Sequence, residues 1–379
     1  TPKVTELAVD AHWLSRNVYQ TDAGALQAGC GWFPPDWFDR DSRQRALKQA
    51  ARYDSALAEY GHPQGYAPLR RYLEDWLGEA GMAVPAEHIL LTQGASQALD
   101  LVACCVARPG EVVLVDDPGY CNLLSCLTLR GFTVIGAPWT PHGPDTAALE
   151  QLLQTHQPKA FFTNPWLQNP TGASYSPATA YRVLQLAEQY GCYVVEDNVS
   201  AELQAVRGQT LAAMAGLARV IYIGSFSKTL SPGLRVGFVA AAPGMIDALT
   251  HAKMIAGLTS SSLAERLALA MLTDGRYRKN LERLKTRLAH AQDATLAMFT
   301  ELGWPLFTAP AGGLFVWASP GDSGPDPLRL AEWARAADIL LAPGCLFRPD
   351  RADTPWLRFN VAFSHGEALR RFLLGYRRG

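Results

Sequence analysis

Residues 224–237 read GSFSKTLSPGLRVG, and this stretch decides which fold the chain adopts. It follows the apolar run RVIYIG, places Lys228 among small hydroxyl residues, and brings in Arg235 seven positions later. A lysine at the end of a buried strand is usually half of an ion pair. Where desolvation and neighbouring cations lower the pKa of its amine, the same lysine becomes a nucleophile. The remainder of the chain decides between these two roles.

The overall composition limits the classes of function. The chain has 379 residues, which is longer than one core usually supports, so we expect two lobes around a shared cleft. Apolar residues make up 48% and charged residues 18%, a balance typical of a folded globular protein. The formal net charge of -1 gives no electrostatic reason to expect nucleic-acid or membrane-surface binding by this chain.

Location and metal content are also suggested by the sequence. No apolar run approaches the roughly 18 residues that span a bilayer, and no signal-peptide pattern opens the chain, so we expect a cytoplasmic location. The seven cysteines lack metal-ligand spacing, which predicts reduced structural thiols and no metal site. The first residue is Thr1 rather than methionine, as expected of a processed chain or a piece of a longer protein.

Between about residues 66 and 240, short apolar runs alternate with amphipathic stretches, the pattern of βα units and a mostly parallel sheet. The runs predicted as buried strands are HILLT, EVVLVDD, FTVIGA, KAFFTN, CYVVED, RVIYIG and LRVGFVAA. The stretches between them have helical periodicity. One of these helices should begin after Ser176, with Pro177 in its first turn, and end at Gly191.

The character of the sequence changes after residue 244. A long helical region is predicted from about Met245 to Leu302, followed by an α+β tail with the strands GGLFVWA, ILLAPG and WLRFNVAF. The first 45 or so residues are expected to pack on that tail. We therefore predict an α/β fold with a large domain over residues 46–244 and a smaller α+β domain, closing over the substrate, from residues 1–45 and 245–379.

The unusual polar residues fall at the carboxyl ends of the predicted strands, where ligands collect in parallel sheets. TQGAS (residues 92–96) follows one strand and opens a helix, so its backbone N–H groups can hold an anion. DPGY (residues 117–120) adds an aromatic ring, and NPWLQNPTG (residues 164–172) holds Asn169 in a rigid turn. VVEDN then ends a strand with Asp197, which needs a cationic partner if it is buried. Each of these motifs alone has an ordinary explanation in packing or turn formation.

Together these groups match the needs of one cofactor. Pyridoxal 5'-phosphate requires a lysine for its aldehyde, an acid that keeps the pyridine nitrogen protonated, and a cradle for its phosphate. Lys228 would bind the aldehyde, Asp197 would pair with the ring nitrogen, and Ser225 and Arg235 would hold the phosphate.

The motifs also establish a resemblance. TQGASQALDL, DDPGY, QNPTG, EDN and SFSKTLSPGLRVGF occur in the order found in fold-type I, class I/II aminotransferases, and the similarity covers nearly the whole chain. The resemblance implies the PLP-dependent transferase fold, an internal aldimine on Lys228, a donor from Asn169 to the phenolic oxygen of the cofactor, and Tyr120 stacked on the cofactor ring. The residues implied to hold the phosphate are Gly94, Ala95, Ser96, Ser225 and Arg235.

The same resemblance suggests residues outside the sheet. YGHPQG (residues 60–65) is similar to the segment whose tyrosine reaches the phosphate of a neighbouring subunit, which implies a homodimer and assigns this role to Tyr60. WLRFNVAFS is similar to the strand whose arginine binds the substrate α-carboxylate, which implies Arg358. AGCGWFPPDWF is similar to the segment that closes over the substrate, and it brings Gly31 to the substrate mouth.

GASQALDL, GRYRKNLERL and the C-terminal strands are closest to a particular branch, the aminotransferase-like domain of GntR-family regulators of the MocR type. In that branch a winged-helix DNA-binding domain precedes this one. The chain departs from the family at Val199 and Ser200, where a tyrosine usually helps to hold the phenolic oxygen. This departure puts efficient amino transfer in question more than cofactor binding.

Three functions are compatible with these motifs. The first is an enzyme that exchanges an amino group between an amino acid and a 2-oxo acid through a Lys228 aldimine. The second is the effector-sensing domain of a transcriptional regulator, which binds the cofactor and an amine without turnover. The third is a β-lyase or decarboxylase on the same scaffold. The complete machinery with Arg358 favours the first, and the replacements at Val199 and Ser200 favour the second.

Overall fold

The central feature of the computed structural model, which describes residues 24–50, 58–204, 208–321 and 324–376, is a large twisted sheet. Its strands are β1 (Ile89–Thr92), β2 (Val112–Asp117), β3 (Thr133–Thr140), β4 (Gly143–Pro144), β5 (Ala160–Thr163), β6 (Tyr193–Asp197), β7 (Val220–Ser225) and β8 (Gly237–Ala240). They form one eight-stranded sheet in the order β1-β8-β7-β6-β5-β2-β3-β4. Each of the seven strands predicted for this region is confirmed.

The sheet is mostly parallel, as predicted. Strand β2 pairs in parallel with β3 and β5, β5 with β6, and β6 with β7, whereas β8 runs antiparallel to both of its neighbours. In this register Asp197 lies opposite Ile223, and Thr163 lies opposite Glu196. The carboxyl ends of β5, β6 and β7 therefore meet at one edge of the sheet, and the chain leaves each strand close to the others.

Helices flank the large sheet and also form much of the rest of the described chain. They are α1 (Arg40–Ala50), α2 (Ala67–Glu79), α3 (Gly94–Val106), α4 (Cys121–Leu129), α5 (Thr146–His156), α6 (Pro177–Tyr190), α7 (Leu211–Ala215), α8 (Pro243–Gly257), α9 (Ser262–Leu272), α10 (Tyr277–Leu302), α11 (Pro327–Ala336), α12 (Val361–Ser364) and α13 (Glu367–Tyr376). Helix α6 begins as predicted, because the Ser176 hydroxyl accepts a hydrogen bond from the Thr179 N–H at 3.1 Å. It ends at Gly191, whose φ of +66° favours glycine.

Both faces of the sheet are covered. Alternate strand residues such as Val113, Phe162 and Val195 pack with α3, α4 and α8 in one apolar cluster. The residues between them, such as Leu114 and Val194, pack with α2, α5 and α6 in a second cluster. Because both faces are buried, the strands are continuously apolar up to their carboxyl ends, where the polar residues begin.

A second, smaller sheet joins the two ends of the chain. It is antiparallel, in the order β10-β11-β9, with β9 (Phe315–Ala318), β10 (Ala342–Pro343) and β11 (Leu357–Asn360). The described part of the N-terminal segment packs on it: the Asn360 N–H donates to the Ala28 carbonyl at 2.7 Å. A Cβ on Gly29 would lie 2.4 Å from the Ala342 nitrogen, so only glycine permits this close approach. Residues 1–23, included in the predicted small domain, lie outside the described residues.

One local prediction needs correction. The run WLRFNVAF is a strand only as far as Asn360, because the side chain of Asn360 accepts a hydrogen bond from the Ala362 N–H and caps α12. The helical region predicted from about Met245 to Leu302 is confirmed and consists of the three helices α8, α9 and α10. Leu258, which follows α8, has a positive φ of 58° and ends that helix. Among the described residues, no helix is long and apolar enough to cross a membrane.

Candidate active site

One cavity of about 990 Å³ lies at the carboxyl edge of the large sheet. Strand β5 delivers Asn164 to it, β6 delivers Asp197, and the turn after β7 delivers Ser225 and Lys228. The small sheet contributes Arg358 from the opposite side. Residues that are far apart in sequence therefore face one another across a space large enough for a small organic ligand.

Lys228 is the nucleophile candidate on this wall. Its ammonium group donates a hydrogen bond to the Gly31 carbonyl, so the N-terminal segment contacts it directly. The pKa of the amine is lowered to about 8, mainly by burial; the nearby Arg358 and Arg235 guanidinium groups also lower it, whereas Cys30 and Asp197 oppose the shift. A fraction of the amine is therefore uncharged near neutral pH, which is the form that attacks a carbonyl carbon.

The two adjacent acids at the end of β6 face opposite sides of the sheet. Glu196 is fully buried and accepts hydrogen bonds from the N–H groups of Leu211 and Ala212, at 3.0 and 2.9 Å, at the start of α7. Asp197 faces the cavity and is 6% exposed. Its Oδ1 atom has no hydrogen-bond partner among the described residues. Burial raises the pKa of Asp197 to about 7, although the Val199 N–H and Lys228 partly oppose this effect.

A chain of hydrogen bonds connects Asp197 with the small sheet. The Asn164 side-chain amide donates to the Asp197 carbonyl at 2.8 Å, and its oxygen accepts from the Asn169 N–H at 2.8 Å. The Asn169 oxygen in turn accepts from Nη1 of Arg358 at 2.7 Å. Asn169 is thereby fixed with its oxygen on the arginine, and its amide nitrogen remains for a ligand in the cavity.

Arg358 is held rigidly for a residue with such a long side chain. Its guanidinium carbon lies 4.6 Å from the ring centroids of both Phe315 and Phe347, and Nη2 donates to the Gly29 carbonyl at 2.7 Å. The residue is 6% exposed and has no carboxylate among its described hydrogen-bond partners. A Cβ on Gly31 would lie 3.8 Å from Nη2, so Gly31 forms the floor beside the guanidinium. A buried arginine without a counter-anion is suited to bind a carboxylate.

The turn after β1 and the turn after β7 meet at the end of the cavity. Gly94 has a φ of +77°, and a Cβ there would lie 2.6 Å from Nη2 of Arg235. Arg235 donates to the Gln93 carbonyl at 3.3 Å and to the Ser227 hydroxyl at 3.4 Å. The Ser225 hydroxyl lies 3.1 Å from that of Ser227. Two hydroxyls, one guanidinium and the start of α3 thus surround a small volume, the arrangement that binds a phosphate.

Tyr120 closes the cavity on the side of β2. It precedes the first residue of α4, and its hydroxyl accepts a hydrogen bond from the Asn122 side chain at 3.1 Å. The neighbouring Asp117 accepts from Arg348 at 3.3 Å, which joins the loop before Tyr120 to the loop after β10. The segment that carries Tyr120 is therefore bonded to the loop after β10 through Asp117.

Comparison with known proteins identifies the family. Residues 33–373 match the family model described as aminotransferase class I and II. The chain belongs to this family. Membership of this family implies pyridoxal 5'-phosphate as the cofactor, and amino acids and 2-oxo acids as substrates.

Several relatives of the aminotransferase are informative. It is 35% identical to a 2-aminoadipate transaminase of Thermus thermophilus, over 78% of this chain and 75% of the relative. It is 30% identical to the uncharacterized HTH-type transcriptional regulator YdfD of Bacillus subtilis, over 94% of this chain and 74% of that protein. Among solved structures, LysN of Thermus thermophilus, an α-aminoadipate aminotransferase complexed with N-(5'-phosphopyridoxyl)-L-leucine, superposes with a TM-score of 0.85 at 31% identity, covering 94% of each chain.

The structure brings together most of the residues selected from the sequence. Those that line the cavity are Gly31, Ala95, Ser96, Tyr120, Asn169, Asp197, Ser225, Lys228, Arg235 and Arg358. Gly94 lies directly behind Arg235 and does not itself line the cavity. Tyr60 is the exception, because its side chain is 84% exposed and does not border the cavity of its own chain.

Val199 and Ser200, noted in the sequence as the positions that replace a tyrosine, also line the cavity. The lining residues that were not selected from the sequence are Cys30, Trp32, Phe33, Pro35, Phe38, Arg43, Cys121, Asn122, Asn164, Ser227, Ser231, Pro232 and Phe315. Asn164 and Ser227 lie within quoted motifs, and their side-chain chemistry could have identified them. Cys30 gave no such signal: Asn360 donates to its sulfur at 3.3 Å, and burial raises the pKa of its thiol to about 11, so it forms an uncharged wall.

The residues present fit pyridoxal phosphate. The buried Oδ1 of Asp197 lacks a partner, as expected of a carboxylate that pairs with a protonated ring nitrogen. The Arg235 and Ser225 end of the cavity offers donors for the phosphate, and Lys228, with a lowered pKa, borders the same cavity. An acid, an amine and a phosphate cradle in one cavity constitute the donor set that this cofactor requires.

Proposed function

We propose that Lys228, Asp197 and Arg358 carry amino transfer between an α-amino acid and a 2-oxo acid in this cavity. The observation on which the proposal rests is that a lysine with a pKa of about 8 and a buried carboxylate with an unpartnered Oδ1 border the same cavity. Bound pyridoxal phosphate supplies an aldehyde that takes up the amino group and a ring that accepts electrons from the substrate Cα.

Each side chain has a defined task in this proposal. Lys228 would hold the cofactor, and its free amine would move the proton at the substrate Cα. Asp197 holds a proton on the ring nitrogen, because a buried anion strongly favours a cation beside it. Asn169 donates its amide N–H to the phenolic oxygen, since its own oxygen already accepts from Arg358.

Arg358 is proposed to orient the substrate. Its Nε atom has no hydrogen-bond partner among the described residues. The Phe315 and Phe347 rings restrict the guanidinium, and a bidentate contact with the α-carboxylate would fix the position of Cα relative to Lys228.

We further propose that the active unit is a homodimer in which Tyr60 reaches the phosphate end of the neighbouring cavity. Tyr60 is 84% exposed in the single chain, and Ile255, near the end of α8, and Leu258, just after it, are 89% and 53% exposed. The same helix contacts the turn after Tyr60 through the hydrogen bond from Lys253 to the Pro63 carbonyl. Large apolar side chains grouped in this way are typical of a surface covered by another protein. The proposed division into domains, 46–244 against 1–45 and 245–379, puts Tyr60 in the large domain and Ile255 and Leu258 in the small domain, so this face spans both. The proposed cytoplasmic location accords with the seven free cysteines.

A second function has its own support. Val199 and Ser200 line the cavity where the family usually has a tyrosine, so the tyrosine hydroxyl that donates to the phenolic oxygen in the family is absent from these positions. Relatives such as YdfD are named transcriptional regulators. The second candidate is therefore the effector-sensing domain of a GntR/MocR-type regulator, in which the cofactor and an amine bind but turnover is negligible.

A single-turnover experiment separates the two functions. The protein loaded with pyridoxal phosphate is mixed with individual amino acids, the cofactor is extracted, and the fraction converted to pyridoxamine phosphate is measured. Amino transfer predicts full conversion with at least one amino acid and its reversal by a 2-oxo acid. Binding with a lasting spectral change but no pyridoxamine phosphate would contradict amino transfer and support the sensing function. Lys228→Ala is the matched control and should give no conversion.

A further inference from the structure

A buried lysine outside the cavity has no part in the proposed chemistry. Lys253, on α8, is 1% exposed, and its ammonium group donates to the Pro63 carbonyl at 2.7 Å and the Leu91 carbonyl at 2.8 Å. None of its hydrogen bonds in the described structure goes to a carboxylate. Burying an ammonium group is costly, and two backbone carbonyls offset most of that cost here. Lys253 therefore fixes the relative position of the two segments that carry these carbonyls.

The two carbonyls belong to segments on either side of the cofactor site. Leu91 is in β1, immediately before the 92–96 turn that is proposed to hold the phosphate. Pro63 lies in the turn after Tyr60. Lys253 therefore connects the phosphate-binding turn of its own chain with the segment that carries the proposed inter-subunit tyrosine.

A buried carboxylate holds the other end of the same turn. Glu265, on α9, is 2% exposed, and its Oε2 accepts a hydrogen bond from the Tyr66 N–H at 2.8 Å. The guanidinium of the next residue, Arg266, lies 4.2 Å from the centre of the Tyr66 ring and donates to its hydroxyl at 3.1 Å. The turn is thus bonded at Pro63 by a cation and at Tyr66 by an anion.

Packing leaves the turn little freedom between these points. The Leu91 N–H donates to the Gln64 carbonyl at 3.0 Å, which attaches the turn to β1. Gly65 has a φ of +100°, and a Cβ there would lie 2.5 Å from the Cβ of Leu91. A Cβ on Gly61 would be 3.5 Å from the Cβ of Ser262, so the chain beside Tyr60 also contacts the start of α9. The direction in which Tyr60 leaves the surface is consequently set by these contacts.

We propose that Lys253 and Glu265 are positioning residues for the neighbouring subunit's cofactor site, because they fix the turn at residues 63–66 and with it the position of Tyr60. The inference rests on the proposed function, since it requires Tyr60 to reach the partner's phosphate site. Neither residue touches the cofactor or the substrate. Their effect on cofactor binding passes through Tyr60.

A double-mutant cycle on cofactor affinity tests this coupling. The dissociation constant of pyridoxal phosphate is measured for the full chain, for Lys253→Met, for Tyr60→Phe and for the double variant. Loss of one hydrogen bond to a phosphate raises the dissociation constant by about tenfold or more, so Tyr60→Phe should do so. Lys253→Met should also raise it by about tenfold alone, but by less than about twofold when Tyr60 is already phenylalanine.

Glu265 provides an independent arm if Lys253→Met does not fold. Glu265→Gln retains an oxygen that can accept from the Tyr66 N–H and should keep affinity within about twofold of the parent. Glu265→Leu removes the acceptor and should weaken cofactor binding by about tenfold, again only when Tyr60 is present. Leu330→Ala, a 0% exposed position in α11 far from the turn, controls for general destabilisation and should not couple to Tyr60.

The outcomes test the positioning role separately from the role of Tyr60. If Lys253→Met changes the dissociation constant of the cofactor equally with and without the Tyr60 hydroxyl, Lys253 does not act through Tyr60. If neither Lys253→Met nor Glu265→Leu changes the dissociation constant, the positioning role is also wrong. If Tyr60→Phe itself leaves the cofactor affinity unchanged, both the inter-subunit role of Tyr60 and the inference built on it are wrong. Amino transfer by Lys228 could still stand in that case.

Discussion

Replacing Asp197 by asparagine should make the cofactor-free protein more stable at pH 8 while weakening its hold on the cofactor. Asp197 is 6% exposed, its Oδ1 has no hydrogen-bond partner among the described residues, and burial raises its pKa to about 7. The side chain therefore carries an unpaired charge above that pH unless a cation binds beside it. Asparagine has nearly the same shape and no charge.

The size of the effect follows from the two pKa values. An acid whose pKa is raised on folding contributes stability that is fully present below the unfolded value, 3.8, and is lost as the pH rises through the folded value, about 7. Between pH 5 and pH 8 the parent should therefore lose about 3 kcal/mol that the variant retains. The unpaired amide of asparagine costs about 1–3 kcal/mol at every pH, so the variant should be less stable than the parent by about that amount at pH 5. At pH 8 the loss of about 3 kcal/mol by the parent should leave the variant more stable by up to about 2 kcal/mol.

Urea unfolding of both cofactor-free proteins at pH 5 and pH 8 measures the difference directly. Glu196→Gln is the matched control for cofactor binding, because Glu196 is also buried and has a raised pKa but bonds to the start of α7 rather than facing the cavity. It should leave cofactor affinity within about twofold, whereas Asp197→Asn should lower it by at least about tenfold. If the stability difference between the parent and Asp197→Asn does not change with pH, Asp197 does not have a pKa that is raised on folding.

Three further predictions concern other parts of the site. Arg358→Lys should raise KM for the amino acid with little change in cofactor affinity and lower kcat/KM by about 100-fold, measured by steady-state kinetics, because lysine cannot make a bidentate contact. Gly94→Ala should weaken cofactor binding by about tenfold, since its Cβ would lie 2.6 Å from Arg235; Gly81→Ala, at a similar φ of +81° with nothing within 4 Å, should not. The rate at which the cofactor-free protein captures pyridoxal phosphate should rise as the pH passes through about 8, because only the uncharged Lys228 amine attacks; a rate that falls over this range would contradict the assignment.

The strand ends were the most predictable part of the molecule. Parallel strands buried on both faces are apolar along their length, so a polar residue at their carboxyl end, such as Asp197, stands out in the sequence. The register then brings these ends together without any further information. The motif around Lys228 was predictable for the same reason, because its polar residues follow a fully apolar strand.

The opposite wall of the cavity could not be derived in this way. Cys30 and Phe315 line the site from segments that have no periodic relation to the sheet, Phe347 packs on the Arg358 guanidinium, and none of the three side chains carries a chemical signal. The end of β11 was missed because a single side chain, Asn360, turns the chain into a helix after an apolar run that is otherwise typical of a strand. Local hydrogen bonding overrode β propensity at that point.

The surface position of Tyr60 marks another limit of the sequence. A tyrosine is usually half-buried, and nothing in the sequence indicates that this one is 84% exposed. The exposure follows from the turn at residues 63–66, whose path depends on buried charges in α8 and α9, about 190 to 200 residues later in the chain. Contacts between segments so distant in sequence are determined by the fold as a whole.

Borohydride reduction of the cofactor-loaded protein, followed by peptide mapping, tests the central claim most directly. Two lysines of the described structure have a pKa lowered to about 8, Lys228 and Lys253, but only Lys228 borders the cavity. Reduction should attach the cofactor to the peptide containing Lys228 and to no other lysine. Attachment at Lys253, attachment spread over surface lysines, or no attachment at saturating pyridoxal phosphate would contradict that claim.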